Sequence, residues 1–92
     1  MNLSLTGKVA VVTGASSGIG RSIVEHYVAT GASVVAFARN REALEQLAAA
    51  HPGKVQVVCG DVTQNADLKR LVDDTVKAHG GVDIVVPNAG IA

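Results

Sequence analysis

"KVAVVTGASSGIG", residues 8–20, decides how the rest of the chain is read. The run "KVAVVT" (8–13), short, β-branched and bounded by Gly7 and Gly14, has the pattern of a strand buried on both faces. Three glycines follow, at positions 14, 18 and 20. From Gly18 to Thr30, Ile23, Val24, Tyr27 and Val28 fall at helical spacing, and Gly31 ends the helix as a C-terminal cap. The stretch is therefore strand, glycine-rich turn, helix. Gly14 lets the chain turn out of the strand. Gly18 and Gly20 remove side chains where backbone approaches a ligand and where helix packs on strand. The helix start aims unpaired N–H groups and its positive dipole end at the same place, and Ser16 and Ser17 add hydroxyl donors. A pyrophosphate suits such a cradle, formed by Gly14, Ser16, Ser17, Gly18, Ile19 and Gly20. The spacing Gly-x3-Gly-x-Gly departs from the common G-x-G-x-x-G, and no Lys-Ser/Thr ending is present, which disfavours a P-loop. The competing reading is a glycine-rich turn that holds nothing.

Working outward, "SVVAFA" (33–38) is a second strand. Asn40 caps the next helix, with Leu44, Leu47 and Ala48 as its apolar stripe. After the turn "HPGK" (51–54) comes a third strand, "VQVVCG" (55–60). Thr63 is placed to cap a third helix with Leu68, Leu71, Val72 and Val76 on its packed face. "HGG" (79–81) stops it before a fourth strand, "VDIVVP" (82–87). Strands separated by helices of this length pair in parallel through right-handed crossovers. The expectation is an α/β fold, the first half of a Rossmann-like doubly wound parallel sheet with strand order 3-2-1-4. Ligands of such sheets sit at the carboxyl ends of the strands, where the order reverses. Those ends are Gly14–Gly20, Arg39–Asn40, Asp61–Val62 and Asn88–Gly90.

Composition narrows the classes. The 92 residues suffice for one small domain, and eight basic against eight acidic residues leave no net charge and no basic block, so nucleic acid is not an expected partner. The single cysteine, Cys59, has no partner within the chain, which points to a reducing compartment, and in its apolar strand it reads as an inert core thiol. No apolar run approaches the ~20 residues that span a bilayer, and "MNLSLTGK" is unlike a signal peptide, so no membrane and a cytoplasmic location are expected.

Three motifs in register make the reading specific. "TGASSGIG" (13–20), "GDV" (60–62) and "NAG" (88–90) resemble the successive signatures of the short-chain dehydrogenase/reductase family in its single-domain form. The resemblance covers essentially the whole chain. It implies an enzyme that moves hydride between NAD(H) or NADP(H) and a small alcohol or carbonyl, working as a homo-oligomer when full length. It also implies roles. Gly14 to Gly20 would hold the adenosine side of the pyrophosphate. Asp61 would accept a hydrogen bond from the adenine amino group, with the Val62 backbone helping and its side chain packing on the ring. Asn88, Ala89 and Gly90 would line the wall beside the adenosine ribose, and Asn88 would brace the fourth strand. Taken alone, Asp61 reads equally as a helper of the helix cap and Asn88 as a turn residue. One departure is Pro87, where the family often carries a second Asn; proline removes a main-chain donor there.

The choice of nicotinamide cofactor turns on the end of the second strand. An acid there would bond the ribose 2′-OH and favour NAD. The sequence is "AFARNRE", with Ala38 in the place of that acid and Arg39 following. A guanidinium is always charged and makes paired bonds to phosphate, so NADP(H) is preferred, with NAD(H) as the alternative. The family's other basic signal is missing, since Ser17 stands before the second glycine of the loop.

The family's catalytic Tyr-x-x-x-Lys is not in these residues. Tyr27 is the only tyrosine, Gly31 stands four residues on, and Tyr27 lies on an apolar stripe. His26, His51 and His79 match no metal spacing, and Asp73 and Asp74 diverge on a solvated helix face. No catalytic or metal residue is assigned. The expectation is a cofactor-binding half-domain over residues 1–92, truncated after a fourth strand left as an apolar edge, and inactive alone. The alternative function is a non-catalytic dinucleotide-binding module.

Overall fold

The computed structural model describes residues 4–88. Its elements are β1 (Val9–Thr13), α1 (Gly18–Ala29), β2 (Ser33–Ala38), α2 (Arg41–Ala50), β3 (Val55–Cys59), α3 (Asn65–His79) and β4 (Ile84–Pro87). The four strands are parallel, in the order β3-β2-β1-β4. The Rossmann-like half-sheet expected from the alternation is the fold observed.

Each face of the sheet has its own core. Val12, Val34, Ala36 and Ala38 pack with Val24 of α1 and Leu44 and Leu47 of α2. On the opposite face Val9, Val11, Val35, Phe37 and Val58 pack with Leu71 of α3. This is why β1 and β2 carry no polar alternation: successive side chains enter two different cores. Phe37, Leu44 and Leu47 are among the largest side chains fully removed from water, each worth roughly 1.5–3 kcal/mol of transfer free energy.

The local signals mostly act as read. Asn40 Oδ1 accepts the Ala43 N–H at 3.0 Å and caps α2. Thr30 closes α1, and Gly31 follows with φ +99°. Four details differ, one of them the packed face of α3, where Val72 and Val76 are exposed. Thr63 does not cap α3; the N-cap position is Gln64, whose side chain makes no capping bond. Thr63 is drawn instead onto the Asp61 carboxylate. Cys59 is half-buried rather than a core thiol, because β3 is an edge strand of the described sheet, and its Sγ lies 3.2 Å from the Arg39 carbonyl.

The fourth strand starts two residues later than expected, at Ile84, because Asp83 uses its side chain as part of the ladder. Asp83 Oδ2 accepts the Val9 N–H at 2.8 Å, and the Asp83 N–H returns to the Val9 carbonyl at 2.9 Å. Pro87 sits opposite Thr13. Among the described strands β4 is an edge, where a missing donor is tolerated.

Candidate functional site

The register brings the strand ends into one row. Thr13 pairs with Phe37 and Pro87, and Ala38 pairs with Cys59. The residues that follow therefore emerge side by side: Gly14, Arg39, Gly60 and Asn88. Between them lies a cleft of about 630 Å³ lined by Gly14, Ser16, Ser17, Arg39, Asp61, Val62 and Asn88 of the expected residues. Phe37, Ala38, Asn40, Gly60 and Thr63 complete its wall.

The glycine loop is built around one carbonyl. Gly14 turns with φ +65°, in the left-handed region. Its oxygen accepts the Ser17 N–H at 3.3 Å, the Ser17 hydroxyl at 2.9 Å and Asn88 Nδ2 at 3.2 Å. Ser17 is also the N-cap of α1, its Oγ accepting the Gly20 N–H at 3.2 Å. The N–H groups of Gly18 and Ile19 lack intrahelical partners by their position in the first turn. A Cβ on Gly20 would lie 2.0 Å from Gly14 O and 2.8 Å from Asn88 Nδ2, whereas one on Gly18 would meet nothing within 4 Å. The two glycines thus serve different ends: Gly20 admits the loop and Asn88, and Gly18 leaves open space.

Gly18 and Ile19 lie on the other side of the loop. With Ser22, Ile23, His26, Tyr27 and Val86 they border a second groove of about 690 Å³. Ile19 is 64% exposed. Tyr27 is half-buried against the core of α1 and α2, as its stripe position implied. Ala89 and Gly90 lie outside the described residues.

At the far end of the cleft Asp61 is folded into a tight turn. Its Oδ1 accepts the Thr63 N–H at 2.9 Å and the Thr63 hydroxyl at 2.8 Å. These bonds, the backbone one first, hold its carboxyl below the ordinary carboxylate range, with a smaller contribution from the Arg39 guanidinium. Thr63 thus engages Oδ1, and Asp61 lines the cleft beside Val62.

Following the strand order, the chemical order along the cleft is thus the hydroxyls of Ser16 and Ser17, then a guanidinium, then an ionised carboxylate beside an apolar side chain. Phosphate, a second anionic group and a hydrogen-bond-donating ring would be satisfied in that order. The roles of Gly60 and Thr63 were not read from the sequence, although Asp-x-Thr is a side-chain-to-backbone turn signal. Among the described residues no group of three or more His, Cys, Asp or Glu could hold a metal, and no helix is long and apolar enough to cross a membrane.

Comparison with known proteins agrees with this geometry. The family model for short chain dehydrogenases matches residues 8–92. A cis-2,3-dihydrobiphenyl-2,3-diol dehydrogenase of Pseudomonas sp. (strain KKS102) is 43% identical over 97% of this chain and 32% of its own length. L-Sorbose reductase from Gluconobacter frateurii, solved with NADPH and L-sorbose, superposes with a TM-score of 0.86 at 38% identity, over 98% of this chain and 36% of its own. 3-Ketoacyl-(acyl-carrier-protein) reductase from Brucella melitensis, solved with NADH, gives 0.86 at 34% identity, over 89% and 34%. The chain spans about a third of the length of these relatives.

Proposed function

The chain belongs to the short-chain dehydrogenase/reductase family, and from that premise we propose that it is the cofactor-holding part of an oxidoreductase working with NADP(H) on a small alcohol or carbonyl. The observation that carries this is the cleft at the strand ends, whose donors and charges follow the order of an adenine dinucleotide. The phosphates belong over Ser16, Ser17 and the first turn of α1. Arg39 belongs at the ribose 2′ position, where the second strand ends on Ala38 rather than an acid and a guanidinium meets a phosphate. The adenine belongs against Asp61 and Val62. Relatives crystallised with NADPH and with NADH support a nicotinamide dinucleotide of either kind, so Arg39 is the argument for NADP(H).

When bound, the cofactor supplies or accepts the hydride. The residues of this chain hold and orient it. None is assigned to proton transfer, because Tyr27 packs on α1 against the core and Gly31 stands where the family's lysine would. These 92 residues are expected to bind cofactor without turning over substrate.

Fluorescence titration with NADPH and NADH tests the reading. NADPH is expected to bind more tightly, and Arg39→Ala to weaken it by about tenfold with little effect on NADH, one charge-assisted contact being worth roughly that factor. NADH binding equal to or tighter than NADPH, and indifferent to Arg39→Ala, sinks the NADP(H) assignment. Carbonyl-dependent consumption of NADPH by these residues alone overturns the view that they only bind.

A further inference from the structure

Asp67 and Arg70 lie on the first turns of α3, outside the lining of the cleft. An acidic residue at this third helical position ordinarily reaches back to the N-cap N–H. Asp67 reaches further. Its Oδ2 accepts the backbone N–H of Asp61, six residues earlier, at 2.9 Å. Its Oδ1 meets Arg70 Nη2 at 3.3 Å, and the same nitrogen donates to the Cys59 carbonyl at 2.7 Å. Arg70 therefore ties the end of β3 to the carboxylate that holds the next loop. The fit is close: a Cβ on Gly60 would lie 3.0 Å from Asp67 Cβ and 2.8 Å from the Phe37 ring. Gly60 thus lets Asp67 come down onto the strand end.

The backbone at Asp61 is consequently fixed from both sides. Asp67 holds its N–H, and Thr63 holds its Oδ1. We propose that Asp67 and Arg70 are a positioning pair that sets the angle at which Asp61 and Val62 meet the adenine ring, and so sharpens selection for adenine. Neither touches the cofactor. The proposal rests on the reading that places adenine at Asp61. Without Asp67 the Asp61 N–H loses its acceptor, the turn gains freedom, and the carboxylate no longer waits in one place. Specificity from a hydrogen-bonded site depends on such fixed partners.

The test compares NADPH with its hypoxanthine counterpart, in which a carbonyl replaces the 6-amino group. Wild type is expected to prefer the adenine form. Asp67→Ala should weaken NADPH about tenfold and the hypoxanthine form far less, the loss of one charged hydrogen bond setting the scale. Asp67→Asn keeps an acceptor for the Asp61 N–H and should restore most of the preference. Arg70→Met, at an exposed side chain, serves as the second variant should Asp67→Ala fail to fold, and should reduce the preference by about threefold. Equal loss for both dinucleotides, or an unchanged preference in Asp67→Ala and Arg70→Met, overturns the proposal. Wild type binding NADPH with no preference for adenine instead removes the placement of adenine at Asp61, and the proposal with it.

Discussion

Asn88, at the end of β4, donates its side-chain amide to the carbonyl of Gly14, at the end of β1, at 3.2 Å and 74 residues away in sequence. The same nitrogen is 3.3 Å from Ser17 Oγ. One buried amide thereby joins the glycine loop, the cap of α1 and the fourth strand. The loop is held from within the sheet by these bonds, so its shape does not depend on a ligand.

Substitution at Asn88 should show which of its atoms matters. Asn88→Ala leaves Gly14 O with its two bonds from Ser17, and should cost about 1–2 kcal/mol. Asn88→Asp has nearly the same shape but turns an acceptor toward an acceptor in a buried site. At neutral pH it should cost more than Asn88→Ala. Urea midpoints of the two variants decide this; an Asp variant as stable as wild type would mean that the amide does not face Gly14.

Gly18 and Gly20 should separate binding from stability. Alanine is favoured over glycine within a helix by about 1 kcal/mol. At Gly20 that gain is overwhelmed, because the new Cβ would lie 2.0 Å from a backbone carbonyl. Gly20→Ala is expected to destabilise by roughly 2–4 kcal/mol. At Gly18 the space is open, so Gly18→Ala should leave the urea midpoint unchanged or raised while weakening NADPH. A Gly18→Ala protein that binds NADPH normally would show that the phosphates do not pass over that position.

How much of this was legible in the sequence follows the range of the interactions. The strands of β1 and β2, the Asn40 cap and the order β3-β2-β1-β4 rest on local patterns and a chirality rule, and all were readable. The strand ends followed, and with them Gly14, Ser17, Arg39, Asp61 and Asn88 around one cleft. Thr63 was misplaced because two signals overlapped: a threonine before a helix resembles a cap, yet two residues after an aspartate it closes a turn. The bond from the Asp61 N–H to Asp67 is not legible in the sequence because the partner lies outside the helix of Asp67, on a backbone N–H that only the packing of α3 on β3 brings near.

Asp61 should titrate below an ordinary aspartate. Its bonds to Thr63 favour the ionised form, the backbone bond most. A depressed carboxyl adds stability at pH above its unfolded value of ~3.9, and that contribution is lost as pH falls through the folded midpoint. Above about pH 5 the group is therefore ionised throughout, and NADPH binding should not change through Asp61. Thr63→Val removes the hydroxyl but keeps the N–H, so it should raise the midpoint only part of the way. Carbon-detected NMR of the Asp61 carboxyl reads both values; a midpoint at or above that of an unfolded aspartate refutes the geometry.

The packed face of α3 offers a test on stability alone. Sequence periodicity puts Leu68, Leu71, Val72 and Val76 on one stripe. In the structure the stripe is rotated: Leu71 and Thr75 are buried, Leu68 is half-buried, and Val72 and Val76 are 53% and 46% exposed. Thr75 escapes a hydrophobic count, yet it is fully buried because its hydroxyl is satisfied by the Leu71 carbonyl at 2.7 Å. Leu71→Ala should therefore cost about 2–4 kcal/mol, as cavity-forming changes do. Val72→Lys and Val76→Lys should stay within about 0.5 kcal/mol, the range of surface changes. Val85 on β4, 61% exposed, aligns with Val11, whose side chain belongs to the core beneath α3. Val85→Lys should behave like the two helix variants. If all three lysines cost more than about 1 kcal/mol in urea melts, and the cost falls on dilution, this apolar face is covered by another copy in solution.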